Sequence, residues 1–167
     1  MTFTVRAADP ADAGRLVELA REVGSEPGGW LITGGEWRSP GEERRYLRSL
    51  RRHSNAAVFV AETNGTIVGR LSVARDIHPA SAHVADVGLM VALGYRRRGA
   101  GTALMEAAED WARATGVEKL ELHVFPYNEA AIALYERLGY RREGLRRRHF
   151  RRGCELVDAI LMAKDLR

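Results

Sequence analysis

The stretch YRRRGAGTAL, residues 95–104, sets three consecutive arginines against two glycines. It follows an apolar run that ends at Val91 and opens a segment whose apolar residues recur at the 3.6-residue period of a helix. The first N–H groups of a helix have no partner within it, and the helix dipole favours anions there. Gly99 and Gly101 leave no side chain between the backbone and an approaching phosphate oxygen. The stretch therefore predicts a strand, a phosphate-binding loop and a helix in succession.

Turn and cap signals on the N-terminal side of this stretch predict the first half of the fold. A short strand is followed by Asp9-Pro10, which is typical of a helix start, and a second helix is predicted near residues 42–52. Two β-rich runs then flank Asn64-Gly65, the dipeptide most typical of a two-residue hairpin. A third strand is predicted at HVADVGLMVA, immediately before the glycine stretch.

Similar signals predict the second half. The segment KLELHVFP predicts a strand, and Asn128 and Gly139 are expected to begin and end a helix. Two last strands are expected to be joined by a tight turn at Arg152-Gly153. The predicted order is β-α-α-β-β-β-α-β-α-β-β, a mixed α+β (mixed α/β) fold.

The composition predicts one domain spanning residues 1–167. Hydrophobic residues make up 46% of the chain and charged residues 29%, as in ordinary globular domains. The net charge of +4 is modest, so an anionic partner would have to be bound by local clusters of arginine. Cys154 is the single cysteine, and no paired histidine spacing indicates a metal site, so neither a disulfide nor a metal is expected. No apolar run approaches the length of a membrane span, and a soluble, cytoplasmic protein without a membrane partner is expected.

The glycine loop does not match the nucleotide motifs that it first suggests. The sequence Gly-x-x-x-x-Gly-Lys-Ser/Thr is absent, and Gly99-x-Gly101 lacks the third glycine of a dinucleotide fingerprint. The spacing Arg96-x-x-Gly99-x-Gly101 instead resembles the acetyl-CoA pyrophosphate loop of the GNAT superfamily of N-acetyltransferases. The segment NEAAIALYERLGY, residues 128–140, is similar to the second GNAT signature, with an asparagine and a tyrosine seven positions later.

Two further segments are similar to one branch of this superfamily. HVADVGLMV, residues 83–91, and EGLRRRHFRRGCELVDAILMA, residues 143–163, resemble bacterial amino-acid N-acetyltransferases and relatives acting on small amines. The resemblance implies the GNAT fold, a central mixed but mostly antiparallel sheet flanked by helices. It also implies direct transfer of an acetyl group from acetyl-CoA to a primary amine, without a covalent enzyme intermediate. A homodimer is plausible on the same ground.

The resemblance assigns one set of residues to acetyl-CoA. Backbone groups of Leu89 to Val91 would pair with the pantetheine arm, and an N–H there would polarise the thioester carbonyl. Gly88 is expected to permit a bulge that separates this strand from the next. The residues implied to contact acetyl-CoA are Leu89, Met90, Val91, Arg96, Arg97, Arg98, Gly99, Ala100, Gly101, Thr102, Asn128, Ala131 and Tyr135.

Tyr135 is the candidate general acid. Asn128, Ala131 and Tyr135 share one face of the predicted helix because three and four residues separate them. A phenol with a pKa near 10 can protonate a departing thiolate, and the family gives this role to the matching tyrosine. The alternative is a tyrosine that only packs in the core. Asn128 has two compatible interpretations, a helix N-cap and a contact to the cofactor.

The sequence leaves the general base open. Side chains that fall on strands or loops near the predicted site are His123, Asp86, His83, Glu143 and Tyr127. His123 is favoured because imidazole suits base chemistry at neutral pH, and some protein N-terminal acetyltransferases of the family have a catalytic glutamate there. A partly buried strand histidine is the alternative. Strand alternation sets positions 83 and 86 on opposite faces, so Asp86 and His83 cannot both face the substrate easily. Tyr135, His123 and Asp86 are the catalytic candidates.

The acceptor is the least defined part of the prediction. A small-molecule amine such as an amino acid is favoured, and a protein N-terminus or lysine is the alternative. A non-catalytic module that binds CoA or nucleic acid is the hypothesis from another class. The loop at residues 24–39, which carries Trp30 and Trp37, and the last hairpin are expected to select the acceptor.

Seven arginines lie among residues 141–152. Strand alternation favours a solvated face for them. Contact with an acidic substrate or a cofactor phosphate is the second interpretation, and nucleic acid is the least favoured. No nucleic-acid partner is therefore expected.

Overall fold

The computed structural model describes residues 1–33 and 36–167. Gly34 and Gly35, inside the loop predicted to select the acceptor, lie outside the described residues. The strands are β1 Thr4–Ala7, β2 Ala56–Thr63, β3 Thr66–Arg75, β4 Val84–Val91, β5 Lys119–Val124, β6 Arg141–Arg152 and β7 Glu155–Asp165. The helices are α1 Ala13–Gly24, α2 Pro40–Leu50, α3 Ala100–Thr115 and α4 Glu129–Arg137. These elements follow the predicted order.

The strands form a sheet with the spatial order β1-β2-β3-β4-β5-β7-β6. Neighbouring strands are antiparallel except β4 and β5, which are parallel. The parallel pair is connected through α3, as parallel neighbours require a crossover. None of the helices in the described ranges is both long and apolar enough to cross a membrane.

Local signals explain most element boundaries. Asn64 and Gly65 have φ of 50° and 74°, so the predicted hairpin turn is confirmed. The helix predicted near residues 42–52 begins earlier, at Pro40, because the Ser39 hydroxyl and the Glu42 carboxylate form a reciprocal capping box.

Two smaller predictions also shift by a few residues. Asp9 caps a short 3-10 turn over Pro10–Asp12, and α1 follows that turn. The last hairpin turns at residues 153–154 rather than at Arg152-Gly153, with Gly153 at φ 58°. Gly153 still serves the turn, because glycine tolerates a positive φ without strain.

Different helices cover the two faces of the sheet. Buried residues on the face covered by α1 and α2, the α1–α2 face, include Leu16, Leu19, Leu47, Val60 and Met90. Buried residues on the opposite α3–α4 face include Leu71, Leu104, Leu122, Ile132 and Ile160. Side chains alternate along β4, so Met90 faces α1 and α2, whereas Leu89 and Val91 pack with the core of the α3–α4 face.

β4 and β5 pair at their first residues and then separate. They pair only from Val84 to Asp86 on β4, against Lys119 to Glu121 on β5. β4 pairs with β3 as far as Val91 without a break in register, so the bulge predicted at Gly88 is wrong. The separation arises because β4 continues along β3 while β5 continues along β7. Within the described sheet, the last residues of β4 therefore have no strand neighbour on the β5 side.

Candidate active site

The N-terminus of α3 has the backbone geometry predicted for an anion site. Gly99 precedes the helix with a φ of 100°, and Arg97 has a φ of 59°. The Ala103 N–H donates to the Gly99 carbonyl at 3.0 Å, so the N–H groups of the three residues between them have no partner within the helix. Ser39 and Asn128 cap α2 and α4 with their side chains, but no described side chain caps α3. This end of α3 is therefore open to an external anion.

Gly101 is required by packing rather than by its backbone angle. A Cβ atom at this position would lie 3.1 Å from Cδ2 of Leu134 and 3.7 Å from Cδ2 of Leu89. A Cβ atom at Gly99 would meet nothing within 4 Å, so Gly99 is required by its positive φ. The start of α3, α4 and the end of β4 thus meet around Gly101, which brings the three predicted cofactor-binding segments together.

Arg96 does not offer its guanidinium to the open helix end. Its Nη1 and Nη2 donate to the two carboxylate oxygens of Glu26 at 2.7 and 2.6 Å, and its Nε donates to the Val91 carbonyl at 2.9 Å. Arg97 and Arg98 are exposed. In the donor loop, defined here as residues 96–101, the backbone is therefore better placed than the Arg96 side chain to bind a phosphate. Glu26 was not predicted as a site residue from the sequence, because it lies 70 residues from Arg96 in the chain.

Tyr135 lies in the same buried cluster as Ala100, the first residue of α3. The residue is only 7% exposed, and burial raises the pKa of its phenol above the ordinary value of 10. Its ring centroid lies 6.1 Å from that of Tyr140. The Asn128 side chain accepts from the Ala131 N–H at 3.3 Å, so its predicted capping role is present. Tyr135 and Ala131 both pack into the core of the α3–α4 face, and a buried protonated phenol is a competent proton donor.

His123 and Asp86 lie side by side where β4 and β5 separate. Nδ1 of His123 is 3.7 Å from Oδ1 of Asp86, within ion-pair range and longer than a hydrogen bond. The His123 side chain is 14% exposed and that of Asp86 is 59% exposed. Nε2 of His123 is buried without a hydrogen-bond partner in the described structure. A carboxylate near one ring nitrogen and a free second nitrogen is an arrangement that a general base can use.

Two of the other three base candidates are engaged elsewhere, and the third, His83, is exposed just before β4. The Glu143 carboxylate pairs with Nζ of Lys119 at 2.7 Å. The Tyr127 hydroxyl donates to the Gly29 carbonyl at 3.0 Å. None of these groups shares the position of His123 between β4 and β5.

Two residues of β6 complete the surroundings of His123. The His149 ring stacks on it at a centroid distance of 5.6 Å, and Phe150 meets it edge-on at 5.7 Å. The pairing of β6 with β7 is irregular here, and Arg148 has a φ of 52°. From the sequence, this strand was predicted to carry a basic cluster and to help select the acceptor, but neither His149 nor Phe150 was predicted to contact His123. The dipeptide His149-Phe150 inside a run of arginines was the signal that the strand contained other chemistry.

Most of the predicted arginine cluster is exposed on β6, but Arg152 is not. Its guanidinium donates to the carbonyls of Gly29 and Leu31 and lies 5.3 Å from the Phe125 ring centroid. The Arg142 guanidinium lies 3.5 Å from the Glu136 carboxylate. These two arginines therefore have structural partners, and the solvated-face interpretation fits the remaining exposed ones.

Residues 25–33, the acceptor-side loop, pack against the site. Nε1 of Trp30 donates to the Glu26 carboxylate at 3.0 Å, and the Trp30 ring lies 6.1 Å from that of Tyr127. Trp37, farther along the chain, lies 5.1 Å from the Arg70 guanidinium and 5.5 Å from that of Arg38. Within residues 1–33 and 36–167, no group of three His, Cys, Asp or Glu side chains is placed to hold a metal ion.

The sequence matches a known family over most of its length. Residues 19–140 match the model of the acetyltransferase (GNAT) family. The chain belongs to the GNAT family. The N-alpha-acetyltransferase RimI of Mycobacterium tuberculosis is 34% identical over 166 residues, which cover 97% of this chain and 92% of that protein. The L-amino acid N-acetyltransferase AaaT of Escherichia coli is 37% identical over 110 residues, which cover 64% of this chain and just under two thirds (66%) of that protein.

Solved GNAT structures share the fold along the whole chain. A GNAT-family acetyltransferase from Streptococcus pneumoniae superposes with a TM-score of 0.88 at 28% identity, covering 98% of this chain and 99% of that chain. YncA of Salmonella typhimurium, solved with acetyl-CoA, superposes with a TM-score of 0.88 at 18% identity, covering 100% and 95%. The chain therefore has the predicted GNAT fold and is an acetyl-CoA-dependent N-acetyltransferase, and these relatives do not support a non-catalytic module.

The donor-side residues fit acetyl-CoA. The uncapped N-terminus of α3 presents N–H groups suited to a pyrophosphate, and Gly99 adds no side chain in front of them. The open side of β4 at Leu89 to Val91 offers backbone groups to an extended arm. Bound acetyl-CoA supplies the acetyl group as an activated thioester. The predicted contacts of Asn128 and Tyr135 with it remain predictions.

The positive φ of Gly99 leads to a first testable prediction. We expect Gly99→Ala to weaken acetyl-CoA binding about tenfold, because alanine is strained by about 1–2 kcal/mol at this backbone angle and relaxation would turn the N–H groups away. Isothermal titration calorimetry measures the change. Gly94→Ala is the matched control, since Gly94 lies one turn earlier with open space around it and no positive φ. Equal affinity of the two variants would contradict the role of the donor-loop backbone.

Proposed function

We propose that this enzyme acetylates an α-amino group, that of a free amino acid or a related small amine, with His123 as the general base. The observation that carries the proposal is the Asp86–His123 pair at the point where β4 and β5 separate. A general base there can take the proton that the amine loses as its nitrogen attacks the thioester carbonyl. The carboxylate of Asp86, 3.7 Å from Nδ1 of His123, would orient the ring.

Two other groups would complete the reaction. A backbone N–H of Leu89 to Val91 would stabilise the negative charge that develops on the carbonyl oxygen. The bond between the carbonyl carbon and sulfur then breaks, and Tyr135 would donate its proton to the departing thiolate. The phenol is protonated at neutral pH, as the role requires, while burial, which raises the pKa of Tyr135, makes it a weaker acid towards the thiolate. In this scheme the acetyl group passes directly from sulfur to the amine nitrogen, as the family resemblance implies.

The ionisation of the acceptor supports an α-amine. An amino group with a pKa near 8 is about one tenth neutral at pH 7, whereas a lysine amine near 10.4 is less than about a thousandth neutral. A partly exposed histidine–aspartate pair can serve the first acceptor far more readily than the second. The relatives AaaT and RimI are named for an L-amino acid and an N-alpha acceptor, respectively, and both names are compatible with an α-amino group.

The N-terminal α-amino group of a protein is the second candidate acceptor. It is favoured by the similarity to RimI, which extends over 97% of this chain, whereas the similarity to AaaT covers 64%. Thiol release from acetyl-CoA in the presence of single amino acids, small amines, N-terminal peptides and peptides with lysine as the only amine separates these candidates. Turnover on lysine peptides alone would contradict the proposal.

The pH dependence of a base variant tests the role of His123. We expect His123→Gln to lower kcat/KM about tenfold at pH 7. Without a general base, only the small fraction of the amine that is already neutral can react. The deficit should shrink as the pH rises and vanish near the pKa of the acceptor amine. Steady-state kinetics from pH 6 to 10 measure it, with His53→Gln as the control because His53 is exposed after α2. Wild-type rates for His123→Gln at every pH would exclude His123 as the base.

A further inference from the structure

A carboxylate on the acceptor-side loop holds the arginine of the donor loop. Glu26 and Arg96 form a two-pronged pair with N···O distances of 2.7 and 2.6 Å. The Glu26 side chain is 14% exposed and that of Arg96 is 28% exposed, so the pair is partly shielded from solvent. Two parallel charge-assisted hydrogen bonds fix both distance and orientation. The pair is therefore stiffer than an ordinary surface ion pair.

Arg96 is fixed on its other side by the end of β4. Its Nε donates to the Val91 carbonyl at 2.9 Å, so all three guanidinium nitrogens have acceptors. The next residue, Arg97, has a positive φ, and Gly99, immediately before α3, also has a positive φ. The direction of the free N–H groups at the start of α3 thus depends on where Arg96 is held.

Glu26 is equally connected on the acceptor side. Its carboxylate accepts from Nε1 of Trp30 at 3.0 Å as well as from Arg96. The carbonyl of Gly29 accepts from the Tyr127 hydroxyl at 3.0 Å, and the carbonyl of Leu31 accepts from Arg152 at 2.6 Å. The acceptor-side loop is therefore tied to the donor loop, to the segment before α4 and to β6. Glu26, which belongs to the acceptor-side loop, therefore links that loop to the donor loop through Arg96.

We propose that Glu26 is a positioning residue that couples acetyl-CoA binding to the conformation of the acceptor-side loop. It acts through Arg96, whose guanidinium orients the donor-loop backbone instead of binding phosphate. The influence on the acceptor rests on the proposed function, because it requires that the acceptor be bound beside residues 25–33. The influence on acetyl-CoA does not depend on the identity of the acceptor.

Two single variants and their combination test the donor side. We expect Glu26→Gln to raise the Kd of acetyl-CoA about tenfold, because loss of this charge-assisted pair releases Arg96 and with it the backbone of the donor loop. Arg96→Lys should weaken binding to a similar extent, since lysine keeps the charge but cannot form the fork. In the double variant the losses should not add, because each removes the same interaction. Isothermal titration calorimetry measures all three, with Glu22→Gln as the control for an exposed glutamate that pairs with Arg15 on α1.

Other results would overturn the proposal. Retained affinity in Arg96→Lys with a loss in Arg96→Gln would show that Arg96 binds phosphate by its charge. Wild-type Kd in a folded Glu26→Gln variant, or strictly additive losses, would show that Glu26 does not act on the donor loop. Thermal unfolding followed by circular dichroism identifies variants that fail to fold. If Glu26→Gln does not fold, Glu26→Asp replaces it, because aspartate keeps the charge on a shorter side chain and is expected to retain part of the affinity for acetyl-CoA. An equal loss of affinity in Glu26→Asp and Glu26→Ala would contradict coupling through the carboxylate.

The acceptor side has a separate measurement. Acetyl-CoA should change the fluorescence of Trp30 in the wild-type protein and not in Glu26→Gln, with Trp30→Phe identifying its contribution among the three tryptophans. An identical fluorescence response in Glu26→Gln would contradict the coupling. If no α-amine is acetylated but the calorimetric and fluorescence results hold, the proposed acceptor is wrong and the role of Glu26 stands.

Discussion

Replacing Tyr135 with phenylalanine is expected to lower kcat by about 10²- to 10³-fold while leaving the Kd of acetyl-CoA nearly unchanged. The variant removes the proton donor for the departing thiolate, and loss of a positioned general acid costs about 10²- to 10⁴-fold. The fold should tolerate the change because phenylalanine fills the same space in the core, where Tyr135 is 7% exposed. Thiol-release kinetics under saturating acetyl-CoA measure kcat, and calorimetry measures the Kd.

Tyr140 provides a matched control for this prediction. Its ring lies 6.1 Å from that of Tyr135, and its hydroxyl is buried without a partner in the described structure. Burial raises the pKa of both phenols, so the two tyrosines differ in position more than in environment. Tyr140→Phe should keep wild-type kcat. If Tyr135→Phe also keeps wild-type kcat, Tyr135 is only a core residue, the alternative that the sequence had left open.

The largest expected change in stability comes from Glu43, a fully buried carboxylate on α2. Its two oxygens accept from Nη2 of Arg70 at 3.2 Å and from Nη1 of Arg38 at 2.6 Å. Arg70 is 3% exposed, and burial lowers the pKa of its guanidinium against the opposing effect of Glu43. Glu43→Gln leaves the buried guanidinium without a counter-ion. We expect the free energy of unfolding to fall by about 3–5 kcal/mol, as measured by urea denaturation.

Two further variants show whether the charge pair is the cause. Glu18→Gln, which removes an exposed carboxylate 3.6 Å from Arg15 on α1, should change the free energy of unfolding by less than about 1 kcal/mol. The double variant Glu43→Leu with Arg70→Met should recover most of the stability, because apolar side chains can replace a buried pair at little cost. A double variant less stable than Glu43→Gln would contradict this explanation and indicate a packing role instead.

Most of the fold was predictable because its boundaries depend on neighbouring residues. Asn64-Gly65 encodes a hairpin turn through two positive φ angles, and Asn128 caps α4 through a bond to a residue three positions away. The bulge at Gly88 was predicted wrongly because strand separation depends on partners, and β4 follows β3 without a break while β5 follows β7. No signal within β4 itself distinguishes these two ways of separating the strands.

Most residues of the candidate site were predictable from the sequence, but their contacts with one another were not. His123 and Asp86 were both predicted from the sequence, but as separate candidates, and only the pairing of β4 with β5 brings them within 3.7 Å. Arg96 was listed among the residues implied to contact acetyl-CoA, whereas its side chain contacts Glu26. The aromatic surroundings of His123 come from β6, which is not adjacent to β5 in the sheet. These contacts have no local signature in the chain.

The sequence by itself determined the donor chemistry of this protein. The N-terminus of a helix favours anions, and glycine at position 99 adopts the positive φ that precedes α3 and leaves no side chain there. The tertiary structure alone decided which carboxylate accompanies His123 and which loop holds Arg96. The physical reason is distance along the chain, because side-chain contacts such as Glu26 with Arg96, 70 residues apart, exist only after the sheet and its loops have assembled.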